Sequence, residues 1–220
     1  MTLVLIIAEI VLLYVLSHRV VQVIYTLVHH IFRSRPVGMS VVLLVFFPGT
    51  VVHELAHLFV AEIVGVRTGK LTLVPESIES TEVRTGSVAI AQTDPYRRTL
   101  IGVAPIIIGV IALATLSHIY STQFVNNITI TIVYYYLIFS ISNSMFSSKE
   151  DMKGVWPVFL VLGLLVGAAY WVGFRADLTG QMLEVAGRIT DVMFRSLTLV
   201  LALNGIILLL FSLLIKTIRA

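Results

Sequence analysis

The sequence predicts an all-α polytopic membrane protein with about six transmembrane helices and a small β-hairpin at the cytoplasmic membrane surface. Only 12% of its 220 residues are charged and 58% are hydrophobic, whereas soluble domains carry about 25% charged residues. Its mean hydropathy is +0.99. Long apolar runs alternate with short polar connections, which is typical of successive membrane spans. We treat residues 1–220 as a single membrane-embedded domain with a core at 38–154.

The first two spans are predicted at the N-terminal end of the chain. An apolar run from Thr2 continues to about Val28 and contains a single acid, Glu9. We expect Glu9 to reach the headgroups or to pair with another helix. The second span covers about 38–65. Pro48-Gly49 interrupts it, so we expect either a kink there or a restarted turn, which Thr50 can cap.

Residues 66–98 form the only sizeable polar segment. Short β-branched runs at 70–74 and 87–92 are predicted to be strands, joined by residues 75–86. A hairpin at the membrane surface offers an edge to which an extended peptide can add as a further strand. An ordinary ordered loop is the alternative.

The rest of the chain is predicted to form four further spans and one interfacial helix. Residues 175–191 have the pattern of a short amphipathic helix lying at the membrane surface. Asn204 is the one strong polar group of the last span. The spans are predicted at about 99–119, 128–146, 155–174 and 192–215.

Lys and Arg are distributed unequally between the two sides of the predicted topology. The connections at 66–98, 148–153 and 216–220 carry nine of them, and those at 18–37 and 174–191 carry five. The excess predicts that both termini and the hairpin are cytoplasmic, in the cell membrane. Basic residues in connections are topology signals, so we predict no nucleic-acid partner.

A His-Glu-x-x-His pattern stands in the second span. His53 and His57 are four residues apart on a predicted helix, so both imidazoles face one side. Two neutral His nitrogens on adjacent turns supply half of a tetrahedral zinc site, and Glu54 is placed to take a proton from a water that the metal activates. The alternative is a polar cluster satisfied between helices. Ionisable groups in membrane helices are costly, which favours a zinc site.

A catalytic zinc takes a third protein ligand and leaves a position for water. The chain contains no Cys, so the third ligand is an Asp, Glu or His. Asp151 and Glu150 follow the fourth span, on the side where the second span ends. The residues alone favour Asp151 but hardly separate it from Glu150. Three other candidates lie near predicted membrane segments: Glu9, Glu62 and His118.

Several segments resemble one known family over about residues 50–154. Val52 to His57, followed by Ala61 and Gly65, is similar to the zinc helix of the site-2 proteases, which are intramembrane zinc metalloproteases. The polar hairpin stands where that family has a membrane-associated β element. Gly102 to Pro105 is similar to the Gly-Pro-containing next helix of the family.

The resemblance extends to a second motif. That family has an Asn eight residues before its Asp ligand, and Asn143 and Asp151 have this spacing. The resemblance implies that Asp151 is the third zinc ligand and that Asn143 holds the substrate backbone. Phe146 and Ser148 replace two prolines of the family pattern, and Met152 follows Asp151 where the family has glycine, so the resemblance is to a divergent branch of that family.

These patterns together predict a zinc-dependent intramembrane endopeptidase with one zinc ion per chain. Its partners would be the lipid bilayer and a membrane-protein substrate, cleaved in or near a transmembrane segment. The missing prolines favour an alternative, a catalytically inactive pseudoprotease that binds membrane proteins without cleaving them. A transporter would need polar groups along several helices, and only Glu9, Asn204 and Tyr134 to Tyr136 offer them.

Overall fold

The residues that the structure describes are mostly helical, with five α-helices of 17 residues or more, a π-helical turn at Tyr120–Phe124 and two small two-stranded sheets. The computed structural model describes residues 2–72, 78–79, 82–83, 87–124, 127–146, 163–164, 167–168, 171–173 and 180–219. Within these residues the helices are α1 (Thr2–Phe32), α2 (Arg35–Ile63), α3 (Pro95–Ile119), α4 (Ile128–Ser144) and α5 (Gly180–Arg219). The strands β1 (Thr68–Thr72), β2 (Ile78–Glu79), β3 (Glu82–Val83) and β4 (Ser87–Ile90) lie between α2 and α3.

Four of these helices are long and apolar enough to cross a membrane. The qualifying stretches are Leu5–Phe32, Arg35–Ile63, Pro95–Gln123 and Gly180–Thr217. Helix α4 is also apolar but has only 17 residues. The prediction of several long apolar helices is confirmed. Most of the predicted fifth span, 155–174, lies outside the described residues.

Local sequence signals begin three of the helices. Arg35-Pro36 starts α2, where proline is tolerated because the first helical N–H groups have no intrahelical partner. Asp94 caps α3 by accepting from the backbone N–H groups of Tyr96 at 3.1 Å and Arg97 at 3.0 Å. The side chain of Asn127 caps α4 in the same way.

Helix α2 is continuous across Pro48, which corrects the expected restart at this point. Thr50 therefore lies inside the helix and does not cap it. Proline has no N–H, so the carbonyl of Leu44, one turn earlier, lacks its helical partner. The hydroxyl of Tyr136 on α4 donates to that carbonyl at 3.1 Å, which keeps the freed carbonyl satisfied.

Helices α2 and α4 touch backbone to backbone one residue later. The N–H of Gly49 donates to the hydroxyl oxygen of Ser140 at 2.9 Å. A Cβ at Gly49 would stand 2.2 Å from the carbonyl oxygen of Ser140, so only glycine fits here. Because Leu44 meets Tyr136 and Gly49 meets Ser140, the two helices run in the same direction.

The predicted hairpin is present as a two-stranded antiparallel sheet. β1 pairs with β4 in the register Thr68 to Ile90, Leu71 to Val88 and Thr72 to Ser87, with an irregularity between the first two pairs. β1 begins two residues earlier than the strand predicted at 70–74. β4 ends two residues earlier than the strand predicted at 87–92. A second short pair, β2 with β3, lies between them in the chain.

Helix α5 contradicts one prediction. An interfacial helix at 175–191 and a separate span at 192–215 were expected, but one uninterrupted helix covers Gly180–Arg219. The polarity of the chain changes near residue 191 without a proline or a turn pair, and a single glycine such as Gly187 does not end a helix. The change in hydropathy marks a change of environment along one helix.

Each of the five helices contributes to the core a side chain whose solvent-exposed fraction is at most 1%: Leu13, Val42, Leu113, Ile138 and Leu197. Other large apolar side chains point outward, among them Leu44, Ile111, Ile132 and Leu209, which are 59–73% exposed. Apolar side chains on both the inside and the outside of a helical bundle suit a lipid environment.

Candidate metal centre

The His pair predicted from the sequence meets at one point. His53 and His57 lie on consecutive turns of α2 and are only 4% and 6% exposed. Their Nε2 atoms are 3.1 Å apart, with ring planes at 83°. Two nitrogens bound to one tetrahedral zinc at 2.0–2.1 Å stand about 3.3 Å apart. Two neutral rings at this distance share an N–H to N hydrogen bond. Because the two distances are similar, the nitrogens would move little on binding a metal.

The second nitrogen of His57 fixes which atom can bind a metal. Nδ1 of His57 lies 2.9 Å from the carbonyl oxygen of Ile101 on α3. A carbonyl only accepts hydrogen bonds, so Nδ1 carries the proton and Nε2 of the neutral ring has the lone pair. Backbone carbonyls commonly orient metal-binding histidines in this way.

Glu54 stands between the two histidines in the chain and is 4% exposed. A buried carboxyl group is costly in a membrane helix, which makes Glu54 a candidate for a functional role. Its role in moving a proton at the metal stays a prediction.

The predicted third ligand, Asp151, lies outside the described residues, as does its competitor Glu150. No set of three or more His, Asp, Glu or Cys side chains in the described part of the chain is close enough to hold a metal ion. The other candidates are therefore not brought to the His pair: Glu9, Glu62 and His118. Glu9 instead accepts a hydrogen bond at 2.6 Å from Thr198 on α5, a contact with another helix as expected.

The course of α4 bears on that third ligand. Helix α4 runs alongside α2 in the same direction, passes Gly49 with Ser140, and ends at Ser144. His53 and His57 are the next two turns of α2 beyond Gly49. The C-terminal end of α4 therefore lies at the same end of the bundle as the His pair.

Asn143, predicted to hold substrate, is buried on the last turn of α4 and is 2% exposed. Its side chain pairs with Asn204 of α5, which is fully buried. Asn204 Nδ2 donates to Asn143 Oδ1 at 2.8 Å, and Asn143 Nδ2 donates to Asn204 Oδ1 at 3.3 Å. The sequence marks Asn204 as a polar group in an apolar helix, whereas its pairing with Asn143 is visible only in the structure.

A cleft of about 280 Å³ lies between β4 and the start of α3. β1 occupies one edge of β4, and the cleft follows residues of β4 and the segment after it. Ile101 lines the cleft and also gives its carbonyl to His57, which makes the cleft adjacent to the His pair. Its lining residues are Val88, Ile90, Ala91, Gln92, Thr93, Arg98, Ile101 and Gly102.

Sequence reasoning missed the groups that hold the His helix in place. They are the Ile101 carbonyl and the Tyr136 and Ser140 hydroxyls. The sequence signal for them is the Pro48-Gly49 pair, because it marks a place where a helix loses one hydrogen bond and can approach a neighbour closely.

Comparison with known proteins adds no identification: no protein-family model, curated protein or solved structure is significantly similar to this chain. The described chain is a bundle of several long apolar helices, compatible with a multi-pass membrane protein, with a buried His pair on one of them.

Proposed function

We propose that the chain is a zinc-dependent intramembrane endopeptidase that hydrolyses peptide bonds in or near transmembrane segments of membrane proteins. His53, His57 and Asp151 would hold one zinc ion, in keeping with the resemblance to site-2 proteases. A bound zinc supplies Lewis acidity for the scissile carbonyl and activates water. Glu54 accepts the proton of that water and returns it to the leaving amine.

The observation that carries the proposal is the buried His pair with one ring fixed by a backbone carbonyl. Nε2 to Nε2 is 3.1 Å, and the His57 tautomer places the lone pair of the neutral ring on Nε2, the atom that faces His53. Burying two imidazoles and a carboxyl group on one apolar helix is costly, which favours a functional site over a cluster that only joins helices.

The substrate in this proposal is an extended stretch of a membrane protein. A transmembrane helix hides its peptide groups in hydrogen bonds and must unwind before it can be cleaved. The cleft along β4 gives such a stretch a strand edge beside the His pair, where backbone groups freed by unwinding find new partners. We place the protein in the cell membrane with both termini in the cytoplasm.

The test compares wild type with Glu54→Gln and His57→Ala, with His118→Ala as a matched control on another helix. Zinc per chain is measured in detergent-purified protein. Cleavage is measured on a designed single-span reporter with a helix-breaking Asn-Gly pair in its transmembrane segment. We expect about one zinc per chain in wild type, Glu54→Gln and His118→Ala, and none in His57→Ala. Cleavage should persist in wild type and His118→Ala alone.

Two results contradict the proposal in different ways. Wild-type protein that binds no zinc, under conditions that do not strip the metal, removes the metal site. Cleavage by Glu54→Gln at the wild-type rate removes the assigned general base. The pseudoprotease alternative predicts zinc in wild type together with no cleavage of any reporter, and the missing prolines before Asp151 are the feature that favours it.

A further inference from the structure

One edge of strand β4 faces the cleft beside α3. The backbone N–H of Ala91, directly after β4, donates to the carbonyl of Arg67, directly before β1, at 3.1 Å. The peptide groups of a strand point alternately to its two edges, so those of Val88 and Ile90 point away from β1. Both of these residues line the cleft. Within the described part of the chain only β1 pairs with β4, so the cleft side offers backbone donors and acceptors to an extended ligand.

The charge of the cleft comes from the first turns of α3. Arg98, Ile101 and Gly102 share one face of that helix and line the cleft. Among the described lining residues Arg98 alone is charged. Asp94, one turn earlier, caps α3, and its Oδ2 lies 3.3 Å from Nε of Arg97. A guanidinium group has five N–H donors, enough for more than one partner, so Arg98 makes the cleft favourable for an anion.

The place of Arg98 along α3 sets where that anion lies relative to the His pair. Ile101 is 2% exposed and its carbonyl holds His57, whereas Arg98 is exposed about one turn closer to the start of the helix. One helical turn spans about 5.4 Å, and each residue of an extended chain spans about 3.3 Å. A carboxylate paired with Arg98 is therefore a few residues away from the peptide group nearest His57.

We infer that Arg98 selects extended peptide segments that carry an acidic side chain a few residues to the cytoplasmic side of the cleaved bond. The inference rests on the proposed function and deepens it, because it names a class of substrate. Membrane spans ordinarily carry Lys or Arg at their cytoplasmic ends. Arg98 repels such a basic flank and attracts an acidic one, so the charge of the flank separates substrates from most other membrane proteins.

The test measures peptide binding to the full-length protein in detergent, separately from zinc content and cleavage. The probes are short fluorescein-labelled peptides of alternating Val and Thr, which favour an extended conformation. One position at a time carries Glu, Gln or Lys, and fluorescence anisotropy gives the dissociation constant of each peptide. Wild type is compared with Arg98→Gln and Arg98→Glu. Arg97→Gln is the matched control, since it removes the same charge from the same turn but is not among the residues that line the cleft.

We expect wild type to bind the Glu peptide about five-fold more tightly than the Gln peptide at one position, the upper range for a partly exposed ion pair. The Lys peptide should bind more weakly than either. The preference for Glu should vanish in Arg98→Gln, change to a preference for Lys in Arg98→Glu, and persist in Arg97→Gln. Added salt should reduce it in wild type, because salt screens exposed charges.

Proline at position 90 tests the strand edge independently of the charge. The N–H of Ile90 points away from β1, so its removal leaves the pairing of β1 with β4 intact. All peptides should bind Ile90→Pro about three- to ten-fold more weakly than wild type, the loss expected for one hydrogen bond. The ratio between the Glu and Gln peptides should stay the same. Unchanged affinities would show that the peptide does not pair with β4 and would overturn the inference.

Other outcomes also overturn it. No binding of any peptide, equal binding of the three peptides by wild type, or a preference that persists in Arg98→Gln shows that Arg98 does not select an acid. Loss of the preference in Arg97→Gln assigns it to the general charge of the surface. Equal peptide binding, together with copurified phosphatidylglycerol that disappears in Arg98→Gln, assigns Arg98 to a lipid phosphate. Zinc content and reporter cleavage are measured separately, so failure of this inference is distinguishable from failure of the proposed function.

Discussion

At the scale of single residues, the site depends on two imidazoles whose positions are set differently. His57 is held through Nδ1 by the Ile101 carbonyl on α3, whereas His53 meets it from the preceding turn of α2. Because Ile101 contributes a backbone atom, a change of its side chain leaves this bond intact. The orientation of His57 is therefore a property of how α2 packs on α3.

The third ligand is a prediction at this scale. Asp151→Ala should reduce zinc from about one per chain to near none, while Glu150→Ala, its neighbour of the same charge, should keep it. The reason is that a tetrahedral catalytic site with two His ligands needs a third protein donor to hold the metal firmly. Metal analysis of both purified variants decides between the two acids. Loss of zinc in Glu150→Ala alone would transfer the role to Glu150.

A pH-dependent prediction concerns Asp94, the exposed cap of α3. The hydrogen bond from the backbone N–H of Arg97 is the main reason why the pKa of Asp94 lies below its usual 3.8. Desolvation opposes it as the second largest effect, and the Arg97 charge and the backbone N–H of Tyr96 add smaller lowering effects. A lowered pKa in the folded state means that the cap stabilises the fold above about pH 4 and loses this effect as pH falls further.

Asp94→Asn keeps a capping oxygen but does not titrate. Between pH 6 and pH 3, the thermal midpoint of wild type should therefore fall further than that of Asp94→Asn, with both measured in the same detergent. Parallel curves for the two proteins would show that the carboxylate adds nothing to this cap.

At the scale of elements, the contact between α2 and α4 gives a prediction with opposite signs at two glycines. A methyl group at Gly49 would collide with the Ser140 backbone, whereas one at Gly205 on α5 meets nothing within 4 Å. Gly49→Ala should therefore destabilise the protein by about 1–3 kcal/mol through overpacking. Gly205→Ala should be neutral or stabilise it by up to about 1 kcal/mol, since alanine is the better helix former.

Thermal unfolding in detergent measures both changes, and zinc content shows whether the His pair moves with the contact. Gly49→Ala should also bind zinc less tightly, because His53 is the next turn of the same face of α2. Equal stability of the two glycine variants would mean that α2 and α4 separate at this point without cost.

The elements show what local patterns predict and what they do not. Apolar runs predicted α1 to α4, short strand-like runs predicted the sheet, and the four-residue spacing predicted the facing of His53 and His57, since these depend on neighbours within a few residues. Gly49 and Ser140 are 91 residues apart, and Asn143 and Asn204 are 61 apart. Such pairings depend on helix packing, which no local pattern encodes. The continuity of α5 was missed because a drop in hydropathy was taken for a helix end.

At the scale of the whole molecule, the directions of the helices agree with the predicted topology. Helix α4 runs parallel to α2, and it also runs parallel to α5, since Tyr134 meets Ser196 and Asn143 meets Asn204. If α2, α4 and α5 all cross the membrane in the same direction, the chain between each successive pair must cross back an odd number of times. Helix α3 supplies the crossing between α2 and α4. The predicted fifth span would do so between α4 and α5.

The side of the membrane on which each connection lies is the last prediction. The turn between α1 and α2 should be outside and the sheet should be cytoplasmic, because the connections on the sheet side carry the excess of Lys and Arg. The chain has no Cys, so single cysteines can be introduced without background. In intact cells a membrane-impermeant maleimide should label Ser34→Cys and not Gln92→Cys. In permeabilised cells both cysteine variants should be labelled. Wild type should not be labelled in either condition. Since only α2 crosses between these positions, labelling of Gln92→Cys alone in intact cells would invert the topology and place the His pair nearer the outer face.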